Sequence, residues 1–129
     1  MSDVVFLDLN DVLRIHTSTI EEEGGRHGIR DIALVESAVA APRASFGGEY
    51  LHPDLASMAA AYMFSLVCNH GFVDGNKRVG TLSALVFLDC NGIIAFPPAQ
   101  ELERITLAVA KGEMDKDELV AWWSQRILR

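Results

Sequence analysis

The residues His70-Gly71-Phe72-Val73-Asp74-Gly75-Asn76-Lys77-Arg78 bring together a base, a carboxylate and two cations beside a glycine. Gly75 permits backbone conformations that a side chain forbids. If a helix opens at Asn76, its first N–H groups lack internal partners and carry partial positive charge, which makes an anion site. Lys77 and Arg78 add full charges there, Asn76 adds a neutral donor, and Arg78 can grip a phosphate through two parallel hydrogen bonds. Asp74 would repel a bare phosphate. A Mg2+ ion removes that conflict, because Mg2+ typically takes one or two carboxylates together with phosphate oxygens and water. His70, at the other edge, suits the general base for an incoming hydroxyl. Phe72 can plug into the core and hold the segment in one shape. The set is the equipment of phosphoryl or nucleotidyl transfer. It is not a Walker-type loop: Gly71 to Lys77 lacks the Gly-x-x-x-x-Gly-Lys-Ser/Thr order, and no strand precedes it.

Two apolar helices must hold this segment, one ending near Asn69 and one running from about Asn76 to Cys90 before Asn91-Gly92. For the first, Pro53 suits the opening helical position and Asp54 the positive end. Ala56, Ala59, Ala60, Met63, Phe64 and Val67 make that helix apolar almost all round, and hence central. Upstream, Val4-Val5-Phe6-Leu7 is a short β-type run. Asp8 follows as an N-cap with Asp11 in the capping-box position, and Leu9, Val12, Leu13, His16 and Ile20 recur at helical spacing to Glu22. Gly24-Gly25 ends this helix. A second helix starts near Asp31 and is stopped by Pro42. Ser45 to Leu51, with Gly47-Gly48, is the most flexible-looking internal segment. Ile93-Ile94-Ala95-Phe96, bounded by Pro97-Pro98, reads as a strand able to pair with Val4 to Leu7 in the only sheet. A helix from Gln100 to Lys111 follows. The last helix has Asp115 as cap, Glu118 in the box position and Met114 and Leu119 as a hydrophobic staple. The expectation is an all-α fold: a single domain over 1–129 with about six helices and at most a minimal two-stranded β element.

Hydrophobic residues make up 50% of the 129 residues, enough for a core without disulfides or metals. The net charge of −7 and pI of about 4.9 make nucleic acid a poor direct partner, although Lys77 and Arg78 give one local basic spot. Cys68 and Cys90 have no metal-type spacing and fall in apolar stretches, as buried reduced thiols of a cytosolic protein do. Met1-Ser2-Asp3 has no basic start, and the apolar window from Ala56 to Cys68 is too short to span a bilayer. A cytoplasmic protein without a membrane partner is expected. His16 reads as a hydrogen-bonded structural histidine, His27 and His52 as surface or cap residues, and Trp122-Trp123 as packing with one partly exposed ring. Asp74 also has the residue type of a cap for the next helix, a role compatible with the first.

At these residues the chain resembles the Fic/Doc superfamily, and more closely its Doc (death-on-curing) branch. The broad Fic pattern is His-Pro-Phe-x-x-Gly-Asn-Gly-Arg-x-x-Arg. Here Lys77 stands where adenylylating members have Gly, and Thr81 where they have their second Arg; both features are Doc-like. Gly28-Ile29-Arg30-Asp31, Leu34-Val35-Glu36-Ser37-Ala38 and Pro42-Arg43 resemble the Doc-type second helix. Val86-Phe87-Leu88 through Asn91-Gly92, and Ala110-Lys111-Gly112-Glu113 through Trp122, carry the likeness over most of the chain. The resemblance implies Mg2+-ATP as phosphate source, with the nucleotide bound the other way round from the AMP-transferring Fic proteins. It implies transfer of the γ-phosphate to a threonine of elongation factor Tu, arrest of translation, and an antitoxin that blocks the toxin with a helical segment. By carry-over, His70 takes the hydroxyl proton and Asp74 positions Mg2+ or the base. Gly75, Asn76, Lys77 and Arg78 hold the nucleotide phosphates, Phe72 anchors the loop, and Ser45 to Leu51 is a flap over the target peptide.

The departure is Gly71 in place of the usual Pro, which is expected to loosen the loop by up to about 1 kcal/mol of entropy. Thr19 to Gly24 matches the short Ser/Thr-x-x-x-Glu-Gly inhibitory pattern of some Fic proteins, but the pattern is permissive and reads here as the acidic end of the first helix. Two rival functions remain. One is a Fic-type adenylyl transferase, opposed by Lys77 and Thr81. The other is an inactive antitoxin-binding module, supported by Gly71 alone.

Overall fold

The computed structural model describes residues 3–127. Met1 and Ser2, read above for a leader, lie outside the described residues, as do Leu128 and Arg129. Among the described residues there are six α-helices and one two-stranded hairpin. Aspartate caps set most of the helix starts. Asp8 opens α1 (Leu9–Glu23) by accepting from the Asp11 N–H while Asp11 accepts from the Asp8 N–H. Asp31 opens α2 (Ile32–Ala40) by accepting from Ala33, and a single 3-10 turn, Ala41–Arg43, carries Pro42 after it. Asp54 caps α3 (Leu55–Asn69) in a box with Ser57, so Pro53 lies outside the helix instead of at its first position. A carboxylate that accepts an orphan N–H is the better cap, and it takes that place. After α4 (Asn76–Cys90) and α5 (Ala99–Ala110), Asp115 and Glu118 box the start of α6 (Lys116–Arg126).

The central helix is α3, packed against α2, α4, α5 and α6. Its Met58, Ala59, Tyr62, Met63 and Val67 are fully buried, in one core with Val12, Val35, Phe87, Leu119 and Trp123. Arg126 grips Glu101 through two bonds of 2.9 and 2.7 Å and lies over the Trp122 ring, tying α6 to α5.

The sheet expected between Val4–Leu7 and Ile93–Phe96 is not formed. Both stretches are irregular, and in the first of them side chains take backbone groups that a ladder would need. The Asn91 amide accepts from Val5 N–H at 2.8 Å and donates to Val5 O at 2.9 Å. The Tyr62 hydroxyl bonds both backbone groups of Leu7. The two-stranded element is instead the hairpin β1 (Ser45–Phe46) and β2 (Glu49–Tyr50), turning at Gly47-Gly48. Tyr50 packs edge-on against Phe6, which stacks on Phe87 near the C-terminal end of α4. Through Phe6, Tyr50 of the hairpin is thus linked to the C-terminal part of α4.

Cys68 and Cys90 are exposed, in the last turns of α3 and α4, and not buried as expected. An apolar neighbourhood in sequence does not fix which side of a helix a residue takes. Trp122 and Trp123 are both buried, so neither ring is the partly exposed one expected. Among the described residues no helix is long and apolar enough to cross a membrane.

Candidate active site

The turn from His70 to Gly75 is braced by the segment between α1 and α2. His70 has φ 53° and ψ 45° and is the only non-glycine among the described residues with positive φ. That conformation costs a side-chain-bearing residue about 1–2 kcal/mol. Arg30 supports it: Nε donates to the His70 carbonyl at 2.6 Å, and the guanidinium also reaches Asn69 O at 3.3 Å. The His70 residue is exposed, and among the described residues no group hydrogen-bonds its imidazole.

Gly71 is buried, and its carbonyl accepts from the N–H groups of Arg30 and Asp31 at 2.8 and 3.0 Å. A Cβ here would lie 2.5 Å from Val35 Cγ2 and 3.0 Å from Val35 N. Glycine at this position lets the start of α2 press directly onto the loop, and the proline of the broad motif would not fit.

Phe72 is held in the core. It is 2% exposed, forms an antiparallel bridge with Ile29, and stacks on His16 with ring centroids 3.9 Å apart. His16 Nε2 lies 2.9 Å from Asp74 O, so this buried histidine is structural, as read from its position. Gly75, with φ 83°, turns the chain into α4, and a Cβ there would meet Ile20 at 3.1 Å.

Asp74 has both carboxylate oxygens engaged. Oδ2 accepts from Arg26 N–H at 3.1 Å and Oδ1 from Gly75 N–H at 2.9 Å. These bonds, the Arg26 one foremost, hold its pKa below the usual carboxylate value, and the charges of Arg78 and Lys77 act in the same direction. Asp74 therefore fastens the segment after α1 to the loop, and it does not cap α4, whose start at Gly75 has no side-chain cap. Each oxygen keeps a lone pair, and one ionised carboxylate is the donor Mg2+ takes beside phosphate. Among the described residues no cluster of three or more His, Cys, Asp or Glu is placed to hold a metal by itself.

Asn76 closes the loop on itself: Oδ1 accepts from Phe72 N–H and Nδ2 donates to Phe72 O, both at 3.0 Å. An anion would meet its backbone N–H and the second Nδ2 hydrogen. The N–H groups of Asn76, Lys77 and Arg78 have no backbone partner among the described residues, the open donors of an uncapped helix start. Lys77 is exposed. Arg78 is half-buried and pairs with Glu23, the last residue of α1, at 3.2 Å.

From Lys77 and Arg78 a groove of about 420 Å³ continues between α4 and α5. Its walls include Thr81, Leu82 and Leu85 on one side and Leu102, Glu103 and Thr106 on the other. The Thr81 and Thr106 hydroxyls meet at 2.8 Å. Sequence reading had not assembled this groove, because its walls come from helices separated in the chain. Nor had it assigned a role to Arg26 or Arg30, whose contacts run to residues about forty or more positions away.

The model of the Fic/DOC family matches residues 6–88, more than half of the chain. The chain is 36% identical over 118 residues to Toxin Doc of Mycolicibacterium smegmatis, covering 90% of this chain and 88% of that protein. It is 32% identical over 104 residues to Protein kinase doc of Escherichia phage P1, covering 81% of each. The matched span holds the loop, the helix before it, most of the helix after it and the bracing segment, and the protein belongs to the Fic/DOC family.

Proposed function

We propose that the protein is a Doc-like toxin: a kinase that transfers the γ-phosphate of ATP to a serine or threonine hydroxyl of elongation factor Tu, halts translation in the cytoplasm, and is restrained by the helical segment of an antitoxin. One relative is named a toxin and the other a protein kinase, which supports both halves of the reading. The target and the antitoxin are carried over from the Doc resemblance.

The observation that carries the direction of transfer is the groove beyond Arg78. A nucleotide has a charged end and an apolar end. The open N–H groups of α4, Lys77 and Arg78 suit phosphates. Farther along the groove lie leucines, a pair of threonines and the Glu103 carboxylate, with no further cation in its lining among the described residues. A polyphosphate tail directed there would meet repulsion and apolar wall. A nucleoside finds apolar surface for its base, and a carboxylate of the kind that bonds ribose hydroxyls. With the nucleoside in the groove, the terminal phosphate is the one presented toward His70.

In the reaction the acceptor oxygen bonds to the γ-phosphorus, the bond from that phosphorus to the bridging oxygen breaks, and ADP leaves. His70 takes the hydroxyl proton. Lys77, Arg78 and the N–H groups opening α4 stabilise the charge on the transferring group. Asp74 would hold Mg2+, which when bound offsets phosphate charge. Glu23 yields Arg78 readily, because a half-exposed ion pair contributes about 1 kcal/mol or less.

The test is incubation of the purified protein with Mg2+, elongation factor Tu and ATP labelled in parallel at the α- or γ-phosphate. Label arrives from the γ position only, and is lost in His70→Ala while nucleotide binding persists. Label from the α position would make the protein an adenylyl transferase. No label on the factor or in a cell extract, with harmless expression in the absence of antitoxin, would leave an inactive antitoxin-binding module.

A further inference from the structure

We propose that Arg30 is a positioning residue, holding His70 in the geometry that transfer requires by clamping the carbonyl end of α3; the proposal rests on His70 being the base of that reaction. The last carbonyls of a helix have no internal partner. Many helices solve this with a glycine in the left-handed conformation just past the end. Here that position is His70, at φ 53°, and a glycine there would remove the imidazole. The chain supplies an arginine instead. Its planar fork reaches two successive carbonyls, His70 O at 2.6 Å and Asn69 O at 3.3 Å.

The clamp is separate from what folds the loop. The Ile29–Phe72 bridge, the Val73 N–H to Gly28 O bond and the bonds from Arg30 and Asp31 N–H to Gly71 O are all backbone contacts. They survive loss of the Arg30 side chain. Arg30 is exposed, so its removal opens no cavity. What is left without its partners is the backbone at residues 69 and 70, from which the imidazole projects. Small displacements of a reacting group lower the rate of the chemical step more than they alter binding of a ligand held elsewhere. Among the described residues the Arg30 side chain hydrogen-bonds only these two carbonyls and none of the groups opening α4.

The experiment compares Arg30→Ala, Arg30→Met and Arg30→Lys with the wild-type protein in the γ-phosphate assay, with melting temperatures and the His70 13Cα and 13Cβ chemical shifts recorded for each. In Arg30→Ala and Arg30→Met, kcat falls roughly 10- to 100-fold while KM for ATP stays unchanged. The left-handed shift pattern of His70 is lost, and the melting temperature stays near the wild-type value. Arg30→Lys, whose ammonium reaches one carbonyl, recovers part of the rate. Wild-type kcat in Arg30→Ala or Arg30→Met, or lower kcat with unaltered His70 shifts, overturns the proposal. So does a rise in KM at constant kcat. If Arg30→Ala does not fold, Arg30→Met, which keeps the apolar stem, decides. If the wild-type protein transfers no label, the kinase reading fails, and the His70 shifts alone then decide the clamp.

Discussion

Val35 Cγ2 stands 2.5 Å from where a Cβ on residue 71 would lie, so the position after His70 is closed to the proline of the broad Fic pattern. Introducing Gly71→Ala forces Val35 or the α2 start to move, at a cost of about 1–3 kcal/mol in urea unfolding. Combined with Val35→Ala, the cost is smaller than the sum of the two single changes by at least about 0.5 kcal/mol. Additive costs would show that the Val35 contact is not the cause. The loop's make-up was legible in the sequence, since a histidine, a carboxylate, a glycine and two cations are contiguous from His70 to Arg78. What was not legible is what each group touches across the fold. Gly71 reads as loose until α2 is seen pressed on it. Asn76 reads as a phosphate donor, yet most of its amide closes the loop on Phe72. Asp74 reads as a metal ligand, and it is also the tie to Arg26.

Among the elements, the helices were legible almost to the residue because aspartates mark their starts and apolar residues recur on one face. The sheet was misplaced for a specific reason. β-type residues at Val4–Leu7 and Ile93–Phe96 report a preference for extended backbone, but pairing is decided by which groups satisfy the N–H and C=O. Asn91 and Tyr62 do so from their side chains at Val5 and Leu7, while Gly47-Gly48 turns the real hairpin in a segment whose two-residue strands gave little signal. Asn91→Ala removes the bonds to both backbone groups of Val5 and the one to Phe87 O at 2.8 Å. With water able to replace the exposed ones, the expected loss is about 1 kcal/mol of unfolding free energy. Phosphate transfer by the folded protein is unchanged, because the staple lies at the end of α4 remote from His70. A fall in kcat without loss of stability would show that this end of α4 communicates with the loop.

For the molecule as a whole, pH is the variable that reaches both ends of the fold. On the acid side, backbone N–H groups of Arg26 and Gly75 hold Asp74 below its ordinary pKa, and Arg126 does the same for Glu101. Such contributions are present above the unfolded value and disappear as pH falls through the folded one, so acid loosens the loop brace and the α5–α6 tie together. On the alkaline side the critical group is Tyr62, fully buried in α3 and bonded to the backbone of Leu7. Burial, foremost, pushes its pKa up to about 12 from an ordinary value of 10.0. Below pH 10 both folded and unfolded chains keep the proton, and the contribution is constant. Between the unfolded and folded values only the unfolded chain loses it, so stability declines by roughly 1.4 kcal/mol per pH unit while the folded chain keeps the Tyr62–Leu7 bonds. Tyr62→Phe separates this from general alkaline effects. At neutral pH it is less stable by about 1 kcal/mol or more, since Leu7 N–H is left without its partner. As pH rises from 10 to 12 the gap between Tyr62→Phe and wild type narrows, because the variant has no phenol to titrate. Urea unfolding across that range reads the difference directly, and parallel curves would assign alkaline sensitivity to other groups.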